Sequence, residues 1–205
     1  MDTHDTDILI VGAGPCGLML ANELGRRGIA TKVFDQESGV ATAPQANATQ
    51  ARSMEHYRRL GFAQEIRALG MPGDHPTDVA YFTTYAGYEL GRAEFPSAND
   101  APQRIRDLAH IWNGAELPHR VPQSLVEGVL FKHASPLKSV DIAFDWRATG
   151  FQENAGSVTV HLVHTKTGDK KDVTARYLFA ADGGASVTRK QLGIGYIGGD
   201  AAERD

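Results

Sequence analysis

The chain has 205 residues, 41% of them hydrophobic and 22% charged, which is ordinary for a folded globular protein and argues against disordered, collagen-like and membrane-embedded classes. A formal net charge of −4 with scattered Lys and Arg offers no basic field for nucleic acid, and no apolar run approaches the ~18 residues that cross a bilayer. The acidic start Met1-Asp2-Thr3-His4-Asp5 is unlike a signal peptide and implies a cytoplasmic location, while a single cysteine, Cys16, rules out an internal disulfide and a dithiol redox pair.

Asp7 to Val11 carries the apolar run Ile8-Leu9-Ile10-Val11, the length of a strand buried on both faces, and breaks at Gly12. Leu18, Ala21 and Leu24 then recur at helical spacing, with Arg26 and Arg27 expected in the last turn and Gly28 as the stop. Ala30 to Phe34 is β-prone and ends in Asp35, which completes a βαβ unit of about 30 residues.

A loop from Ser38 to Asn47 leads to a helix with Met54, Tyr57 and Leu60 on one face and Gly61 as its end, then to a short helix from Phe62 to Leu69 before Gly70. Two β-prone runs between Val79 and Phe95 flank Ala86-Gly87 and predict a hairpin, followed by a polar, proline-containing connection through Pro102. Ser124 to Ala134 reads as a helix with Pro122 just before it. Val140 to Phe151, Ser157 to Thr165 and Val173 to Ala181 read as three strands of a β-meander, the last running into Asp182-Gly183-Gly184.

Gly12-Ala13-Gly14-Pro15-Cys16-Gly17 fits G-x-G-x-x-G between a predicted strand and helix. The first glycine permits a tight turn, the second lets backbone approach a pyrophosphate, and the third allows close packing of helix on strand. The helix N-terminus, with Pro15 and Cys16 in its first turn, offers N–H groups to an anion. Asp35 can accept bonds from ribose hydroxyls, with Gln36 beside it. This unit by itself does not separate FAD from NAD, and an ordinary glycine turn remains the alternative. The eight histidines show no H-x-x-x-H or H-E-x-x-H spacing, so no metal site is expected.

Ala181-Asp182-Gly183-Gly184-Ala185-Ser186-Val187-Thr188-Arg189 follows an apolar strand and resembles the D-G-x-x-S-x-x-R fingerprint of the p-hydroxybenzoate hydroxylase family of flavin monooxygenases. Three further stretches agree with that family: the glycine loop, Pro44-Gln45-Ala46-Asn47-Ala48-Thr49-Gln50-Ala51-Arg52-Ser53-Met54-Glu55, and Val121-Pro122-Gln123-Ser124-Leu125-Val126-Glu127. The resemblance implies an α/β fold: an FAD-binding Rossmann-like βαβ domain with an added β-meander and part of a substrate-domain sheet. It divides the chain into FAD-binding segments 1–70 and 121–190, a substrate-domain segment 71–120, and the start of a further substrate-domain portion at 191–205, where Gly193-Ile194-Gly195-Tyr196 is similar to a returning strand.

Within the resemblance, Gly12, Gly14 and Gly17 take the pyrophosphate, Asp35 the adenosine ribose and Gln123 the ribityl chain, while Asp182, Gly183 and Arg189 belong to a fingerprint serving both FAD and NADPH. The implied reaction is hydroxylation of a small phenolic or aromatic substrate with FAD, NADPH or NADH, and O₂. Two departures stand out. Gln45 replaces an arginine that contacts the flavin in the family, leaving Arg52 as a cation near the pyrophosphate. The family's third fingerprint, a strand ending in Gly-Asp, lies about a hundred residues beyond the Asp-Gly motif, a distance consistent with domain sizes. Here only 22 residues follow Gly183, and Gly199-Asp200-Ala201-Ala202 imitates that motif at the wrong distance. The sequence therefore leads us to expect a truncated chain, inactive alone, that self-associates or needs its C-terminal half. The alternatives are a nucleotide-binding or regulatory remnant working with a partner chain, and an NAD-only Rossmann dehydrogenase. No catalytic residue is assigned.

Overall fold

Ten strands and six helices form among the residues that the computed structural model describes, 4–43, 45–108 and 114–197. In chain order they are β1 (Thr6–Val11), α1 (Pro15–Gly25), β2 (Thr31–Phe34), β3 (Ala48–Thr49), α2 (Ala51–Leu60), α3 (Ala63–Arg67), β4 (Val79–Phe82), β5 (Glu89–Ala93), α4 (Ala101–Asp107) and β6 (His119–Arg120). They continue with α5 (Gln123–Ala134), β7 (Val140–Ala143), β8 (Trp146–Asn154), β9 (Ser157–His164), β10 (Lys170–Ala180) and α6 (Val187–Gln191). Contacts divide the chain into two units, residues 1–40 with 130–205 and residues 41–129.

The first unit holds a six-stranded sheet of order β7-β2-β1-β10-β9-β8. β7, β2, β1 and the C-terminal half of β10 run parallel, whereas β8, β9 and the N-terminal half of β10 form the antiparallel meander. β10 changes partner at Ala175, which faces Thr6 across the parallel ladder and Val158 across the antiparallel one. Leu9 and Val11 are buried in a core with Val158, Val160, Leu162 and Val173, so the meander covers one face of the parallel strands. Ile10 belongs to the other side, where its Cγ2 lies close to Gly17 on α1. The uninterrupted apolar run of β1 thus reflects burial on both faces.

The structure corrects several local expectations. α1 starts at Pro15 and ends at Gly25, so Arg26 and Arg27 lie beyond its last turn, and the reversal is made at Gly28 with φ +72°. Gly25 at its end packs where a side chain would overlap those of Leu137 and Val140. Val140 to Phe151 is two strands rather than one: β7 and β8 lie at opposite ends of the strand order, separated by Phe144-Asp145, with Asp145 at φ 64°. Gly193 to Tyr196 forms no strand. Gly199-Asp200-Ala201-Ala202 lies outside the described residues.

In the second unit Met54, Tyr57 and Leu60 are buried along α2, and Gly61 ends that helix at φ +89°. Phe62 and Ile66 of the adjoining segment join the same core, the Phe62 ring 5.6 Å from that of Tyr57. Arg67 and Glu116 form a buried pair at 2.7 Å, and Arg67 Nη2 also donates to the Leu117 carbonyl. β4 and β5 make the expected hairpin. The connection through Pro102 contains α4, with proline in its first turn, so the breaker taken for a loop is a helix start. Tyr81, Phe82, Tyr85, Tyr88 and Leu90 of the hairpin are all exposed.

Candidate functional site

The loop after β1 and the start of α1 form the centre of the site. Gly12 adopts φ +104°, and its N–H donates to the Phe34 carbonyl at 2.8 Å. A Cβ at Gly12 would overlap the Ala181 carbonyl, and one at Gly17 would overlap the Gly12 carbonyl. Gly14 differs: its φ of −71° suits any residue, and a Cβ there meets nothing within 4 Å. Two glycines are therefore required by the fold, and the middle one leaves open space at the head of the helix. Pro15 occupies the first helical position, Cys16 is exposed, and no acidic residue stands in the first turn. The N–H groups of this turn have no partner within the helix, and the helix dipole adds positive potential there.

Asp35 and the Asp182 loop border this turn. The Asp35 carboxylate accepts from the Ala13 N–H at 2.5 Å and the Glu37 N–H at 2.8 Å, and Gln36 beside it is exposed. The Ala181 N–H donates to Val11 at 2.7 Å, which carries the chain from β10 past Gly12 into Asp182-Gly183. Asp182 Oδ2 accepts from the N–H and hydroxyl of Thr188, each at 3.2 Å, and Ser186 caps α6 by accepting from the Arg189 N–H at 2.9 Å. Burial pushes the Asp182 carboxyl upward, but its bonds with Ser186 and Thr188 outweigh this and hold it below the usual range. Gly183 turns at φ +72°. Arg189 donates to the Ile194 carbonyl and lies 4.1 Å from the Tyr196 ring centre, while the Tyr196 hydroxyl donates to the Gly184 carbonyl. These contacts tie Gly184, Arg189, Ile194 and Tyr196 together.

Gln45, Arg52 and Gln123 belong to the second unit. Gln45 is exposed, and Arg52 is exposed and paired with Glu55 on the next helical turn. The Gln123 N–H donates to the Ala46 carbonyl at 2.8 Å, placing the 45–47 segment beside the start of α5. Its side-chain amide donates to Glu127 at 2.8 Å, and buried Glu127 accepts the Ala41 N–H at 2.9 Å. Sequence reasoning missed Glu127, although four residues from Gln123 is one helical turn, and it missed Thr188 as the partner of Asp182. Among the described residues no cluster of His, Cys, Asp and Glu could hold a metal, and no helix is long and apolar enough to cross a membrane.

The described geometry joins a G-x-G-x-x-G turn, a strand-ending aspartate and a capped Asp-Gly turn in one unit, and comparison with known proteins gives this combination a family. The profile of the FAD binding domain matches residues 5–204. Phenol 2-monooxygenase of Pseudomonas sp. is 29% identical over 189 residues, covering 92% of this chain and 30% of that protein. Aklavinone 12-hydroxylase DnrF of Streptomyces peucetius subsp. caesius is 34% identical over 194 residues, covering 93% and 38%. Among solved structures, the rebeccamycin biosynthetic enzyme RebC with reduced flavin superposes with a TM-score of 0.77 at 34% identity, covering 92% of this chain and 34% of that one. The flavin-dependent monooxygenase PieE in complex with FAD and substrate gives 0.78 at 28% identity, covering 93% and 33%. The chain spans about a third of the length of these relatives. It belongs to the FAD binding domain family of the p-hydroxybenzoate hydroxylase-like flavin monooxygenases.

Proposed function

We propose that this chain supplies the FAD-binding part of a cytoplasmic monooxygenase that hydroxylates a phenolic or other aromatic substrate with NADPH or NADH and O₂. The observation that carries the reading is Gly14: the space a side chain would fill lies open at an unpaired helix N-terminus, beside the Asp35 and Asp182 turns. That space suits a pyrophosphate, which needs close backbone approach and gains from the helix dipole. In this reading Gly12, Gly14, Pro15, Cys16 and Gly17 form the pyrophosphate turn, Asp35 and Gln36 face the adenosine ribose, and Asp182, Gly183 and Arg189 form the adjoining turn. Gln45 and Gln123 serve the flavin end, and Arg52 is a cation for the pyrophosphate. When bound, FAD supplies hydride acceptance and oxygen activation, whereas the protein binds and orients the reactants and excludes water. The divisions 1–70, 71–120, 121–190 and 191–205 belong to this proposal as assignments of flavin and substrate roles.

A second reading, that the chain works with further polypeptide or a second copy, has its own support. In a parallel ladder alternate residues bond to each neighbour. With Ala181 bonded to Val11, the N–H and C=O groups of Leu178 and Ala180 point away from β1, past the last β9 pair at Ala175 and Val158, and no described strand pairs there. This edge opens on a groove of about 560 Å³ walled by Glu153, Gly156, Thr188 and Leu192, with Tyr177 and Phe179 exposed. A free strand edge beside exposed aromatics favours association.

Visible absorption of the purified chain after dialysis against FAD, with ADP as competitor, tests the main reading. Flavin uptake displaced by ADP is the expected result, and a folded chain that takes up neither overturns it. NADPH oxidation stimulated by phenol in this chain alone would overturn the expectation that it is inactive by itself.

A further inference from the structure

We propose that Asp145, at the corner between β7 and β8, is a positioning residue that sets Asp35 for the ribose hydroxyls of an adenine nucleotide; the inference rests on the reading of Asp35 given above. The segment after β2 has no regular structure to hold it, yet it must present a carboxylate in a defined place. The corner supplies that hold through four hydrogen bonds. The Asp35 N–H donates to the Ala143 carbonyl at 3.0 Å, and the Trp146 N–H donates to the Asp35 carbonyl at 2.8 Å. The Asp145 N–H donates to the Glu37 carbonyl at 2.8 Å, and the Ser38 hydroxyl donates to Asp145 Oδ1 at 2.9 Å. Residues 35 to 38 are thereby bonded along their length to residues 143 to 146.

The corner itself is over-determined. Asp145 is the one non-glycine residue with positive φ among the described residues, at 64°, a conformation that Asp and Asn tolerate better than other side chains. Its Oδ2 accepts from Lys166 Nζ at 3.0 Å, and its carbonyl accepts the Thr165 N–H at 2.7 Å. Trp146 is fixed in turn by the Lys171 ammonium 3.7 Å from its ring centre and by the His164 ring, perpendicular to it with centres 4.9 Å apart. A conformation that is costly alone and held from several sides is the kind that fixes geometry at a binding site. Here it is bonded to Glu37 and Ser38, two and three residues past the aspartate that follows β2.

The test compares ADP with 2′,3′-dideoxy-ADP by calorimetry on the full chain, because only ADP carries the hydroxyls that Asp35 would accept. Wild type should prefer ADP by about tenfold, the effect of one or two bonds to a charged acceptor. Asp145→Ala should bring that ratio close to one while its affinity for the dideoxy nucleotide stays near wild type. Asp145→Asn, which keeps both the left-handed conformation and an acceptor for Ser38, should retain the preference. General loss of folded protein would weaken both nucleotides equally and leave the ratio intact, so a folding defect cannot imitate the predicted change. A wild-type ratio in Asp145→Ala, with Asp35→Ala abolishing it, would overturn the role of Asp145 alone. No preference in wild type, or none lost in Asp35→Ala, would overturn the reading of Asp35 and this inference with it.

Discussion

Replacing Gly14 with alanine should separate nucleotide binding from folding, because the three loop glycines are glycine for different reasons. Gly14 has φ −71° and nothing within 4 Å of an added Cβ. Restricting the unfolded chain favours alanine by ~0.4–1 kcal/mol, while the poorer helix cap opposes it by about as much, so stability should change by less than ~1 kcal/mol. The added methyl fills the space an anion would use, and losing one backbone bond to a phosphate weakens ADP roughly 10- to 100-fold. Gly12→Ala gives the opposite pattern. Its φ of +104° and the overlap with the Ala181 carbonyl oppose any side chain. Backbone strain of ~1–3 kcal/mol and overpacking of similar size then lower the melting temperature by roughly 5–20 °C. Thermal unfolding by circular dichroism and ADP titration by calorimetry read the two effects. Wild-type ADP affinity in Gly14→Ala, or unfolding as early as in Gly12→Ala, would refute the reasoning.

Glu116→Ala should destabilise the second unit by ~3–5 kcal/mol, since it strands the buried Arg67 guanidinium; Arg67→Met with Glu116→Leu should lose less in urea unfolding, and an equal loss would show that the pair itself stabilises. Burial holds the His119 imidazole below its ordinary value, although its Nε2 donates to the Leu69 carbonyl at 3.1 Å. The unfolded chain therefore binds the proton first, and the stability due to neutral His119, present above about pH 6.5, is lost as pH falls toward the folded value. His119→Gln should flatten that decline between pH 7.5 and 5.5 in denaturant titrations, and an unchanged slope would sink the assignment.

The elements legible in the letters are those whose signals lie within a few residues of one another. The strand run Ile8 to Val11, the α2 face of Met54, Tyr57 and Leu60, and the hairpin around Ala86-Gly87 all form as read. The glycine turn was legible in the same way, because Gly12 answers to φ and Gly17 to the close packing of helix on strand within a few residues. The failures arise where one residue's conformation serves a distant partner. Nothing near Asp145 marks it as a corner, so Val140 to Phe151 reads as continuous β-sequence until β7 and β8 separate to opposite edges. Arg189 suits either its own loop or an anion by its letters, and the structure bonds it to the Ile194 carbonyl and sets it against Tyr196.

The sequence by itself determined the βαβ turn, the order of the motifs and the likeness to the flavin monooxygenases, because local backbone demands write glycine, proline and aspartate at set spacings. The tertiary structure decided which glycine leaves room for a ligand, what holds Asp35, and which strand edge remains free. Those depend on atoms brought together from more than a hundred residues apart, such as Ser38 and Asp145, and no local pattern encodes their meeting.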